Sequence, residues 1–85
     1  MVYYVYILQS EKDGSYYTGH THHLEDRLNR HNQGRSRYTR DKVPWRLVYY
    51  ESQGSKSEAA KREQEIKRRK DRGYIERLVR ASRSA

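Results

Sequence analysis

The sequence predicts a small α+β domain, a three-stranded and mainly antiparallel sheet packed with three helices in the order ββαβαα. Three observations predict it. Aromatic and β-branched residues concentrate at 2–9, 15–19 and 46–51, as strands require. Segments with helix-start signals and apolar residues at i, i+4 spacing lie between and after them. The chain has 85 residues, room for one domain with one modest core.

Residues 2–9, VYYVYILQ, lead into Glu11-Lys12-Asp13-Gly14-Ser15, whose Asp-Gly pair signals a turn, and Tyr16-Tyr17-Thr18 returns as the second strand of a hairpin. Thr21 is placed to accept at a helix start. Leu24 and Leu28 follow on one face through about Asn32, and Gly34 ends the pattern. Residues 33–44 hold Gly34, Pro44 and four basic side chains, Arg35, Arg37, Arg40 and Lys42, with little apolar content, and read as a basic loop. Trp45-Arg46-Leu47-Val48-Tyr49-Tyr50 restores strand composition until Gly54 breaks it. Ser55-Lys56-Ser57-Glu58 fits a capping box that opens a helix to about Lys70. Gly73 separates this helix from a short last one carrying Tyr74, Ile75 and Leu78, and residues 81–85 are expected to fray. Residues 1–85 thus read as a single domain.

Nineteen Lys and Arg against eleven Asp and Glu leave a net charge of +8, a field that concentrates polyanions and makes nucleic acid the leading partner. A solvated basic surface is the plain alternative. No membrane partner is expected, because the basic helices lack the broad Trp, Phe and Leu face that buries in headgroups. The absence of cysteine excludes disulfides and thiolate metal sites. With no basic n-region at Met1-Val2-Tyr3-Tyr4 and no apolar run near the roughly 20 residues of a span, a cytoplasmic location is expected.

At about 100° per residue, Leu24, Arg27, Leu28 and His31 share one arc of the first long helix, and Ala59, Glu63 and Ile66 share one arc of the second. Arg27, His31 and Glu63 therefore face inward, where a charge is costly unless paired or used. One reading is a partly buried ion pair tying two helices to the sheet, with His31 a satisfied core histidine and the tyrosines sheet-packing residues. The other is a functional site. His20, His22 and His23 are nearly contiguous, unlike ligands at helical spacing, and read as exposed histidines.

Tyr4-Val5-Tyr6, Tyr17-Thr18-Gly19, the spacing of Gly19, Arg27 and His31, and Glu63 within Glu58-Ala59-Ala60-Lys61-Arg62-Glu63 together resemble the GIY-YIG nuclease family over nearly the whole chain. The similarity is to its stand-alone bacterial single-domain members, relatives of the nuclease module of the excision-repair incision subunit. Departures are Tyr4 for Gly, Thr18 for an aliphatic residue, and His20 where some relatives carry Lys. Near Ile75 there is no counterpart of the later Asn of several catalytic relatives.

The resemblance implies a metal-dependent endonuclease acting on DNA, in repair or processing. It makes Glu63 the ligand of Mg²⁺ or Mn²⁺, a hard cation readily held through one carboxylate plus phosphate oxygens. Arg27 would donate two hydrogen bonds to the phosphate, and His31 would relay a proton or fix the phosphate. Tyr6 is the implied general base, although a free phenol is nearly all protonated at neutral pH. Tyr17 would position the water or the scissile phosphate. Arg35, Arg37, Tyr38, Arg40 and Lys42 suit a substrate track, with Trp45 either a stacking face or core, and Lys67, Arg68 and Arg69 form a second phosphate-contacting patch or a solvated helix end. A non-catalytic nucleic-acid-binding module on the same fold is the alternative function, and a basic protein-interaction domain is a third.

Overall fold

Strand β1 (Tyr3–Ser10) pairs antiparallel with β2 (Tyr16–Thr21) on one side and β3 (Trp45–Gln53) on the other, giving the order β2-β1-β3. Among the described residues there are three α-helices, α1 (Leu24–Asn32), α2 (Lys56–Arg69) and α3 (Arg72–Ser84), and a single 3-10 turn at Arg40–Lys42 in the loop before β3. The structure, a computed structural model, describes residues 2–69 and 71–84, without the side chains of 83 and 84. The order ββαβαα is the one the sequence predicts.

The centre of the sheet goes to the segment with the longest apolar run. Val5, Tyr6, Ile7 and Leu8 are all buried, which requires cover on both faces. Tyr6 and Leu8 point to one face, where Trp45, Tyr17, Leu24 and Leu28 pack against them under α1. Val5 points to the other and meets Ala59 and Ile66 of α2, with Tyr74, Ile75 and Leu78 of α3 beside them. An irregularity in the β1–β3 ladder, from Ile7 opposite Tyr49 to Leu8 opposite Leu47, leaves Val48 as the extra residue of a bulge.

The turns follow their signals. Gly14 and Gly34 adopt φ of 77° and 73°, which a side chain resists, in the hairpin turn and just past α1. Ser55 Oγ accepts the Glu58 N–H at 3.2 Å, as the capping box requires.

Two local expectations are corrected. Thr21 is not the helix cap: the ladder runs on to pair it with Tyr4, and its hydroxyl accepts the N–H of His23, the residue that precedes α1. Gly73 does not separate two helices but sits in the first turn of α3, where Asp71 Oδ1 accepts its N–H at 2.9 Å. Of the two readings of Trp45, core holds, because it opens β3 directly under α1. Helix α3 continues through Ser84; the expected end of α2 at Lys70 and the last frayed residue, Ala85, lie outside the described residues.

Candidate active site

Because residues directly opposite one another in a ladder point to the same face, Gly19 lies under Tyr6, and Tyr17 lies beside Leu8, on the face that α1 covers. Gly19 is there for space: it has no left-handed φ, but a Cβ on it would stand 2.6 Å from Tyr6 Oη and 2.8 Å from Tyr6 Cζ. The missing side chain lets the Tyr6 ring lie across β2 with its hydroxyl over that strand, although the residue is only 2 % exposed.

The hydroxyl meets His31 Nε2 at 3.0 Å, and the other ring nitrogen, Nδ1, lies 2.7 Å from Thr39 Oγ1. The Tyr17 ring stands 5.0 Å from the His31 ring and 6.4 Å from that of Tyr6. Burial foremost, with Tyr17 and Glu63 adding to it, pushes the Tyr6 phenol well above its usual range against the pull of the Arg27 guanidinium. Burial, then Arg27 and Arg30, pushes His31 down to about 4, so the imidazole is neutral at pH 7. These influences place Arg27 beside both Tyr6 and His31.

Glu63 reaches the cluster from the opposite face. It projects from α2 with Ala59 and Ile66, all three buried, and its Oε1 lies 2.6 Å from Nδ1 of His20, the β2 residue opposite Val5. Lys67 Nζ donates to Glu63 Oε2 at 2.7 Å and lies 5.8 Å from the Tyr17 ring centroid. The two groups of side chains therefore meet around β2, the edge strand, with Lys67 bridging from carboxylate to tyrosine.

The donor set at Glu63 is a single hard carboxylate. Among the described residues no group of three or more His, Cys, Asp and Glu is placed to hold a metal ion. Each Glu63 oxygen bears one partner and keeps a further lone pair, and Lys67 is an exposed, flexible side chain free to swing aside. That fits Mg²⁺ or Mn²⁺ held through one carboxylate, with the remaining positions left to water and phosphate.

Arg35, Arg37, Tyr38, Arg40, Lys42, Lys67, Arg68 and Arg69 are all exposed, Tyr38 at 82 %. Arg35 shares a groove of about 440 Å³ with Arg27, Arg30, His22 and His23 along the outside of α1. Lys42 turns instead to the hairpin, 3.5 Å from Asp13, and Arg69 lies over the Tyr74 ring at 4.2 Å. Lys67 is drawn to Glu63.

His20 is the reading that changes most, being half-buried on Glu63 rather than exposed like His22 and His23. Its alternation in β2 with Gly19 was the available signal, as the i, i+4 spacing was for Lys67 and Glu63. Thr39 carried no signal within its loop.

Residues 2–75 match the GIY-YIG catalytic domain. Among similar proteins, a UPF0213 protein of Staphylococcus saprophyticus is 49 % identical over 65 residues, 75 % of this chain and 78 % of that protein. A UPF0213 protein of Clostridium perfringens is 50 % identical over 66 residues, 76 % of this chain and 70 % of its own. The solution NMR structure of the UPF0213 protein BH0048 from Bacillus halodurans superposes with a TM-score of 0.59 at 41 % identity, over 95 % of this chain and 85 % of that one. By its domain match, its relatives and its topology, the chain belongs to the GIY-YIG nuclease family.

Proposed function

We propose that the protein is a metal-dependent endonuclease that hydrolyses phosphodiester bonds in DNA. The observation that carries this reading is the meeting, around the β2 edge, of the hydrogen-bonded Tyr6–His31 pair and Arg27 with the Glu63 carboxylate. Phosphodiester hydrolysis needs a proton acceptor for water, a cation on the phosphate and charge neutralisation at the leaving oxygen.

Arg27 donates to the phosphate oxygens, where its planar fork fits two acceptors. Tyr6 takes the proton of the attacking water while its own hydroxyl proton passes to His31 Nε2, so no free phenolate is required from a phenol that burial makes harder to ionise. The phosphate's negative charge offsets the Arg27 cation that helps hold His31 neutral, which makes the imidazole a better acceptor as substrate arrives. Tyr17, in contact with His31 and under Lys67, positions the phosphate from the other side. Mg²⁺ or Mn²⁺ held by Glu63 supplies Lewis-acid neutralisation of the phosphate. The groove with Arg30 and Arg35, and the basic loop beyond it, take the flanking phosphates.

One observation favours a second reading, a nucleic-acid-binding module without cleavage: both Glu63 oxygens already bear protein partners, His20 and Lys67. Incubation with labelled single-stranded, duplex and branched DNA, with Mg²⁺ or Mn²⁺ and with chelator, separates the two. Cuts that need the metal and vanish in Arg27→Ala are expected. Retained binding with no cuts on any substrate would establish the second reading instead.

A further inference from the structure

The basic loop between α1 and β3 contains one side chain that faces away from any substrate. Thr39 is 0 % exposed, in the middle of a segment whose Arg37, Tyr38 and Arg40 are all on the surface. Its backbone is held tightly. The Thr39 carbonyl accepts from Trp45 Nε1 at 2.8 Å and from the Lys42 N–H at 3.1 Å, and its own N–H donates to Ser36 O at 3.2 Å. Trp45 is in turn clamped to the end of α1, donating its N–H to Asn32 Oδ1 at 2.6 Å while its carbonyl accepts from Asn32 Nδ2 at 2.9 Å. The same indole that fills the core thus fixes the Thr39 hydroxyl opposite His31, one residue before Asn32 on α1.

The proton path proposed above sets the direction of the chain Tyr6–His31–Thr39. A neutral imidazole has one N–H and one bare nitrogen. The Tyr6 phenol has a proton to donate, and Arg27, which neighbours its oxygen, is a donor only. That path passes the Tyr6 proton to His31 Nε2, 3.0 Å away, so Nε2 is the bare nitrogen and Nδ1 the protonated one. The reverse tautomer would present an N–H to the Tyr6 oxygen and leave His31 no lone pair to receive that proton.

We infer that Thr39 is a positioning residue: its buried hydroxyl accepts the Nδ1–H of His31 and so holds the imidazole in the tautomer whose bare Nε2 faces the Tyr6 hydroxyl. Its consequence for catalysis rests on the nuclease reading above, because only there does His31 receive the Tyr6 proton. The 2.7 Å contact of the buried Thr39 hydroxyl with Nδ1 does not rest on it. Ser at position 39 would keep the hydroxyl; Val would keep the shape and remove it.

Long-range ¹H–¹⁵N correlation spectra of ¹⁵N-histidine-labelled full chain at neutral pH, without DNA or metal, read the His31 tautomer directly. The parent and Thr39→Ser should show Nδ1 protonated and Nε2 bare, and Thr39→Val should move His31 to the Nε2–H form or to a mixture. Cleavage, where the parent cleaves, should fall roughly 10–100-fold in Thr39→Val, the scale typical of losing a partner that fixes a histidine's tautomer, and stay within about 3-fold in Thr39→Ser. A parent with Nε2 protonated overturns the inference, and needs no variant to fold. So does a folded Thr39→Val with the parental tautomer. A parent that cuts no DNA but shows the Nδ1–H form would overturn the nuclease reading and leave the assignment of Thr39 to His31 standing.

Discussion

Gly19→Ala adds one methyl at the point where two strands and the Tyr6 ring meet. The new carbon would stand 2.8 Å from Tyr6 Cζ, 2.6 Å from Oη and 3.2 Å from Tyr17 Cε2. Carbon atoms pack at about 3.5–4.0 Å, so the Tyr6 ring must withdraw by about 1 Å. It is buried against Leu8 and Trp45, and the 3.0 Å bond to His31 has no slack. Either the core yields, at about 1–3 kcal/mol for overpacking, or the hydrogen bond breaks, at about 1–3 kcal/mol for a buried group left unpaired. For a domain of this size that lowers the melting temperature by roughly 4–24 °C. Thermal and urea melts of the parent, Gly19→Ala and Gly54→Ala measure it. Gly54→Ala is the control, since a Cβ there meets only the Glu58 carboxylate, at 3.8 Å and 3.9 Å. In a Tyr6→Leu background, which removes the ring's far end, the Gly19→Ala penalty should largely vanish. A penalty of equal size in both backgrounds would refute the steric argument, and so would a Gly19→Ala protein as stable as the parent.

Tyr6→Phe keeps the ring's packing and removes the oxygen, so the protein should remain folded by circular dichroism while cleavage falls roughly 10²–10⁴-fold; parental cutting by the folded variant would make Tyr6 structural. His31 resists protonation in the fold, with a pKa near 4 against 6.5 in an unfolded chain. Its contribution to stability is therefore present above pH 6.5 and lost as pH falls towards 4. The expected loss is on the order of 3 kcal/mol, read by urea melts as a slope that His31→Gln removes. Glu63→Gln should abolish metal-dependent cleavage yet bind DNA about as well as the parent, because affinity comes mainly from phosphate contacts elsewhere; a sharp loss of binding by the folded variant would deny Glu63 a role confined to metal. Replacing Arg35, Arg37 and Arg40 together by Gln should weaken binding and reduce the slope of log K against log salt by up to roughly 2–3, and an unchanged slope would remove that loop from the substrate track.

Some of this protein is written in its sequence because the cause is local. The run VYYVYILQ carries its own demand for a central strand, Gly14 and Gly34 mark the two left-handed backbones, Ser55 caps the helix it precedes, and Leu24 with Leu28 define the face that α1 buries. Helical periodicity likewise suffices to turn Arg27, His31 and Glu63 inward, since angular position on a helix depends on sequence spacing alone. Which groups those side chains then meet is not local. His20 and Glu63 are 43 residues apart and touch only because the β1–β2 register turns His20 towards the face where α2 docks. Thr21 went to the ladder rather than to the helix for the same reason, its pairing with Tyr4 being a property of two strands together. Gly19 reads in the sequence as the end of a short motif, and only the ring lying across it shows that it is there for volume rather than for φ. Thr39 is the extreme case, a residue in a loop of charges whose burial depends on Trp45 entering the core and Asn32 holding it there. The sequence by itself determined the elements and their inward charges; tertiary packing decided the partners, because strand register and helix docking are collective outcomes that no window of neighbouring residues contains.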